Sequence, residues 1–265
     1  GVASIGDSVF KYCDSLTSVY CKSTTPPTMG SRAFNDNATG RKIYVPIGSV
    51  DAYKSAEGWS EYADDIYEIQ PSKNEVWYTN GSTTEATTPF STDVFGANIV
   101  SNLYDAEKGC WVITFDGDVT TIGEGAFYYC DSLTSVTIPD SVMIIGDYAF
   151  EDCNSLTSVT IPDSVTTIGA YAFAKCDSIT SITILDGVTT IGDTAFGWCQ
   201  NLTSITIPNS VTTINNWAFG GCSSIVSATI GDGVTTIGEG VFAYCDNIAE
   251  FKGKYATENG RCLVK

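Results

Sequence analysis

"CDSLTSVTIPDSVMIIG" (Cys130–Gly146) returns 23 residues on as "CNSLTSVTIPDSVTTIG" (Cys153–Gly169), and this repetition decides the fold. Cysteines at 130, 153, 176, 199, 222 and 245 keep the step, as do phenylalanines at 127, 150, 173, 196, 219 and 242. Isoleucines at 122, 145, 168, 191, 214 and 237 do the same. A fixed period of roughly 20–50 residues marks a solenoid. Within one unit, Leu133, Val136 and Ile138 face a core while Ser135 and Thr137 face out, as in a short β-branched strand. Pro139 presets φ for a turn in which Asp140 can bond its own backbone. Val142 and Ile145 belong to a second short extended piece. "GDYAFEDC" (146–153) predicts about two turns of helix, with Asp147 at its N-terminus and Ala149, Phe150 and Cys153 on a buried face. One coil cannot bury that face alone. Stacked coils can, each strand pairing with its neighbours about 4.8 Å away in a parallel ladder.

At 265 residues and 43 % hydrophobic, the chain is long and apolar enough for one or two domains with a substantial core. Its net charge is −18, and between Gly109 and Phe251 there are 16 carboxylates and one cation, Lys175. Such a field repels phosphate, so nucleic acid and anionic membrane surfaces are poor partners. Basic proteins, cations and neutral glycans remain. No apolar run approaches the ~20 residues needed to span a bilayer. "GVASIG" (Gly1–Gly6) matches "GVTTIG" at 187–192 and 233–238, so the chain opens in mid-unit and is expected to be a piece of a longer protein.

The spaced cysteines lack the tight CxxC grouping that zinc requires, and a catalytic thiol needs a base where the chain has no histidine. A disulfide from rung to rung is within reach of stacked Cα atoms about 4.8 Å apart. The preferred reading is a ladder of small buried thiols filling one slot per coil. GxSxG, Walker, HExxH and strand-borne GxGxxG patterns are lacking, and the acids recur at turn positions with no unit singled out. The expectation is a non-enzyme with no cofactor and no metal site.

"LTSVTIPDSVTTIG" with "AFxxC" resembles the leucine-rich repeat of BspA-like, treponemal-type bacterial surface proteins, strongly over about 110–251 and well over 1–69. The slot that holds Asn or Cys in the general leucine-rich pattern holds Ser141, Ser164, Gly187, Ser210 and Gly233. The resemblance implies an α/β, right-handed leucine-rich-repeat solenoid of 23-residue coils. It would carry a parallel strand ladder plus short helices, in two arrays separated by a β-rich capping segment. It also implies a secreted or cell-surface protein that binds host proteins or other cells, and it supplies no catalytic residues to carry over.

Along the chain, residues 1–69 read as the closing end of a first array, with Ile43–Val45 as its last strand. A capping helix follows, with Ser49 as N-cap, Gly58 as stop, and Val50, Tyr53 and Ala56 on one stripe. Residues 70–75 read as a polar linker and 76–115 as a hairpin cap turning at Asp105–Gly109. The second array occupies 116–251. Residues 252–265 read as a hairpin turning at Asn259–Gly260, or the start of a further segment.

Comparing units separates scaffold from variation. The strand face repeats Ser and Thr, with hydroxyls but without the aromatic and Arg anchors that hot spots favour. Two slots on the predicted helix vary. One runs Tyr129, Asp152, Lys175, Trp198, Gly221, Tyr244; the other runs Gly125, Tyr148, Tyr171, Thr194, Trp217, Gly240. Tyr129, Tyr148, Tyr171, Trp198, Trp217 and Tyr244 are therefore the candidate binding residues for a host or neighbouring-cell protein or glycan. The competing reading is that these rings cover seams between coils. The chain is expected to be a monomer, and the alternative function is a structural spacer or self-associating scaffold of a larger surface protein.

Overall fold

The coils build a parallel ladder because each 23-residue step brings identical backbone and identical apolar side chains into register. The structure is a computed structural model describing residues 2–46 and 48–253. The chain divides into two compact units, one built on residues 1–70 and one on the remainder apart from the turn at 106–108.

In the first unit, Ser18–Tyr20, Lys42–Val45 and Ile66–Glu68 form a three-stranded parallel sheet, and Ser4–Ile5 pairs with Thr28–Met29. The last strand is thus Ile66–Glu68, one coil beyond the expected Ile43–Val45. A helix over Val50–Ser55 and a 3₁₀ segment over Trp59–Asp65 close the unit. Tyr53 and Trp59 are fully buried, with Val50 and Ala56 packed beside them. Their polar ends are satisfied. The Tyr53 hydroxyl donates to the Ser23 carbonyl (2.7 Å) and the Trp59 indole N–H to that of Pro27 (2.8 Å). Ser49 makes no side-chain cap, and Gly58, at φ 81°, links the two helical pieces. Glycine is required there, since a Cβ would collide with the Met29 backbone.

The second unit opens with an antiparallel sheet in the order Ser135–Thr137, Glu75–Thr79, Cys110–Phe115, Ile99–Asp105. Glu75–Thr79 thereby covers the strand edge of the first full coil. The expected linker is tied in as well. The carbonyls of Lys73 and Asn74 accept the N–H groups of Val119 (2.7 Å) and Phe115 (2.9 Å). Beyond the cap, six two-residue strands from Thr121–Ile122 to Thr236–Ile237 form one parallel sheet. The outward Ser/Thr strands pair in the same 23-residue step, Ser158 with Ser181 and Ser204 with Ser227. Glu250–Gly253 continues this pairing past Phe251. The hairpin expected after it lies outside the described residues.

Inside, Phe127, Phe150, Phe173, Phe196, Phe219 and Phe242 stack with centroids 4.9–5.5 Å apart and planes within 10°. Among the described residues, the column cysteines from Cys130 to Cys245 are free thiols, not rung-to-rung bridges. Each from Cys153 to Cys245 donates its S–H to the carbonyl of the phenylalanine one coil back and three residues upstream of the preceding cysteine. Cys176 to Phe150, at 3.1 Å, is typical. Serine would fit the bond but lose the apolar filling.

The predicted helices of the second unit do not form. Segments such as 146–153 run as consecutive turns in which alternate N–H groups point in different directions. Tyr148, Phe150 and Asp152 donate to Ala170, Ala172 and Ala174 of the next coil (2.7–3.0 Å). Ala149, Glu151 and Cys153 donate to carbonyls three residues back (3.2–3.4 Å). An eight-residue helix would leave its first four donors unpaired. This ribbon pairs them with its neighbours instead, and that is why it wins. Asp147 accordingly caps no helix; its Oδ1 accepts the N–H of Ala170 in the next coil (2.7 Å).

Candidate binding surface

The ribbon imposes a conformation that explains the variable slots. Among the described residues, every non-glycine with positive φ lies in one of those two slots or in their equivalents Ser8, Tyr12, Arg32 and Asp36 of the first unit. In the second unit the nine such residues span φ 54–63°. A left-handed L-residue costs about 1–2 kcal/mol, least for Asp and Asn, and glycine would relax it. Tyrosine and tryptophan gain nothing locally from this geometry. They are held there by the inter-coil bonds, with their rings outside.

The six candidate rings fall into two groups. Tyr148 and Tyr171 stack at 5.2 Å with planes 8° apart, and Tyr129 meets Tyr128 at 4.2 Å. Tyr128 also packs edge-on to Phe90 of the cap segment, and Phe90, Tyr128 and Tyr148 line one hollow. Three coils along, Tyr244 is near-parallel to both Trp198 (6.3 Å, 22°) and Trp217 (6.0 Å, 28°). Trp198 and Tyr244 are 42 % and 64 % exposed, whereas Tyr171 and Trp217 are half-buried.

Glycines set the tilt of the tryptophans. A Cβ on Gly221 would lie within 2.8 Å of three Trp198 ring atoms, and one on Gly240 would lie 2.8–3.2 Å from three of Trp217. The backbone does not demand glycine at 221, because Tyr, Asp, Lys and Trp hold the same φ region elsewhere in that column. The ring demands it. Each tryptophan lies over the glycine of the coil that follows, and Trp198 is the more exposed of the two.

Two adjoining hollows flank Trp198. One, of about 400 Å³, is lined by Asp152, Asn154, Lys175, Asp177, Trp198 and Gln200. The other, of about 420 Å³, is lined by Trp198, Gln200, Gly221, Ser223, Tyr244 and Asp246. Lys175 is committed to two acids, Glu151 at 3.0 Å and Asp152 at 3.3 Å. Its hydrogen bond to the buried Glu151 holds its pKa well above the usual lysine range.

The polar row two residues beyond the first slot (Asn154, Asp177, Gln200, Ser223, Asp246) went unread in the sequence, as did buried Glu151. So did a tyrosine ladder in the first unit. Tyr20, Tyr44 and Tyr67 pair in register on the outward strand face, with rings 4.8 and 6.3 Å apart. They occupy the slot that holds Thr137 and Thr160 in the second unit.

The BspA type leucine-rich repeat region matches this chain in six copies, over residues 1–56 and 120–249. No curated protein matches it. Among solved structures, a leucine-rich repeat protein of T. pallidum is similar at 33 % identity, covering 52 % of this chain and 65 % of that one, with a TM-score of 0.49. A leucine rich cell surface protein from Faecalibacterium prausnitzii is similar at 22 % identity, covering 98 % of this chain and 54 % of the other, with a TM-score of 0.47. The pneumococcal vaccine antigen PcpA stands at 15 % identity, 94 % and 48 % coverage, and a TM-score of 0.45. The chain thus spans 65 % of the first and about half of the other two. With its repeats matched over more than half of its length, the chain belongs to the BspA-type leucine-rich-repeat family.

Proposed function

We propose that this chain is a non-catalytic recognition module of a cell-surface or secreted protein, engaging a protein or glycan of another cell through its turn ribbon. On this reading residues 1–69 close one array, 76–115 cap the next, and 116–251 carry the contact surface. One observation carries the reading. Exposed aromatic and charged side chains fill left-handed backbone positions where glycine would relax the chain. Packing alone gives little reason for a tyrosine such as Tyr244, 64 % exposed, to be held in that geometry.

The test separates contact from packing. Trp198, Trp217 and Tyr171 are replaced together by glycine, and the variant is compared with the parent for attachment to host-cell surfaces and for melting temperature. Lost attachment at a melting temperature within a few degrees of the parent supports the reading. Unchanged attachment, or no attachment by the parent chain to any cell surface, assigns the array to the role of spacer.

A further inference from the structure

We infer that the two hollows beside Trp198 take an extended, Lys/Arg-containing protein segment. The inference rests on the recognition role proposed above and names the chemistry of its partner. Three features of the surface converge on a cation.

The exposed face of Trp198 and the near-parallel ring of Tyr244 offer π surfaces on which a guanidinium or ammonium can lie. Exposed carboxylates flank those rings: Asp177 lines the hollow on one side of Trp198 and Asp246 that on the other. Neither enters an ion pair among the described residues. The only cation between residues 109 and 251, Lys175, is held by Glu151 and Asp152 and leaves Asp177 uncompensated. A neutral glycan would use the rings but gain only neutral-donor hydrogen bonds from the acids, and a sulfated or phosphorylated one would be repelled.

The spacing narrows the sequence. Asp177 and Asp246 stand three coils apart, roughly 14 Å at about 4.8 Å per coil. Side chains i and i+4 of an extended peptide share a face and are separated by about 13.6 Å. An Arg-x-x-x-Arg segment therefore reaches both acids while its backbone crosses Trp198. Arg-x-x-Arg places its two cations on opposite faces.

The experiment measures fluorescence anisotropy of labelled Ser/Thr-spaced peptides with the full chain. The peptides carry Arg-x-x-x-Arg, Arg-x-x-Arg or Glu-x-x-x-Glu, and neutral oligosaccharides serve as competitors. The expected result is binding of the first peptide at least tenfold tighter than the second and none of the third. Affinity should fall as salt rises from 50 to 500 mM and drop tenfold or more in both W198G and the D177N/D246N double variant, each melting as the parent does. Equal affinity for both arginine spacings, or no effect of either variant, reduces the contact to unspecific charge attraction and overturns the inference. Oligosaccharide binding that W198G abolishes, with no peptide binding, overturns it while leaving the recognition role standing. If no probe binds and the triple glycine variant also attaches to cells normally, both fall.

Discussion

Phe150 and Tyr148 stand two residues apart on one ribbon, and both donate their N–H to the coil that follows. Yet the Phe150 column repeats without change through six coils, while the Tyr148 column reads Gly, Tyr, Tyr, Thr, Trp, Gly. The ribbon geometry is shared; what differs is the neighbour. Phe150 lies between Phe127 and Phe173 at 5.2 and 4.9 Å, so any other side chain leaves a void on two coils at once. Tyr148 faces solvent on one side, and its column takes whatever the outside requires, even at a backbone cost. Interior columns therefore carry the fold, and the left-handed columns carry whatever distinguishes one coil from another.

The largest effect expected from this contrast is an alkaline collapse driven from the interior. Burial pushes Cys130 up to about 11 and Cys245 up to about 12. Burial raises Cys153 and Cys176 further; Cys222 is raised by the adjacent Cys199 thiol and by burial. Unfolded thiols ionise near pH 8.5, so above that pH the folded chain holds more protons than the unfolded one. Stability is then whole below about pH 8.5 and is lost as pH rises, by about 1.4 kcal/mol per unit for each of these thiols. Urea unfolding between pH 7 and 10.5 under reducing conditions reads this directly. C176A should shallow the slope, and a flat profile would contradict a ladder of buried thiols.

Next in size is the loss of one rung. Phe173→Ala removes a fully buried ring sandwiched by Phe150 and Phe196, at an expected cost of about 3–5 kcal/mol. The same change at Phe10, half-buried and stacked on Phe34 alone, should cost less. Denaturant midpoints of the two variants compare them, and equal losses would mean that the interior column is not continuous in the sense argued above.

What the sequence disclosed follows the same division. The period, the inward Leu133, Val136 and Ile138, and the cysteine column were legible because every coil meets an identical neighbour, so physics writes the same residue each time. The ribbon passes for a helix in the sequence because Ala149, Phe150 and Cys153 satisfy helical spacing and turn-ribbon spacing alike. The sign that could have separated them was glycine at 125, 221 and 240, mixed with aromatics in columns where a helix would not favour glycine. The candidate rings were legible as variation, but not as two clusters, since Trp198 meets Tyr244 across the ring-shaped gap that Gly221 leaves. The tyrosine ladder escaped because steps of 24 and 23 residues between Tyr20, Tyr44 and Tyr67 carry no motif beyond the ring itself.

The smallest effect is also the sharpest test of the ribbon. Tyr129 has φ 55°, is 55 % exposed and touches Tyr128. Tyr129→Gly loses that ring contact, worth about 0.5–1.5 kcal/mol, and relieves a left-handed penalty of about 1–2 kcal/mol. Its stability should stay within about 1 kcal/mol of the parent by the same estimates. Tyr129→Ala loses the same contact and keeps the penalty, so alanine should be the less stable of the two by about 1 kcal/mol. In a helix the order reverses, glycine falling below alanine by about 1 kcal/mol. Midpoints of the paired variants thus decide between the two backbones by sign alone. A glycine variant less stable than the alanine one would remove the strain on which the reading of these columns as contact residues depends.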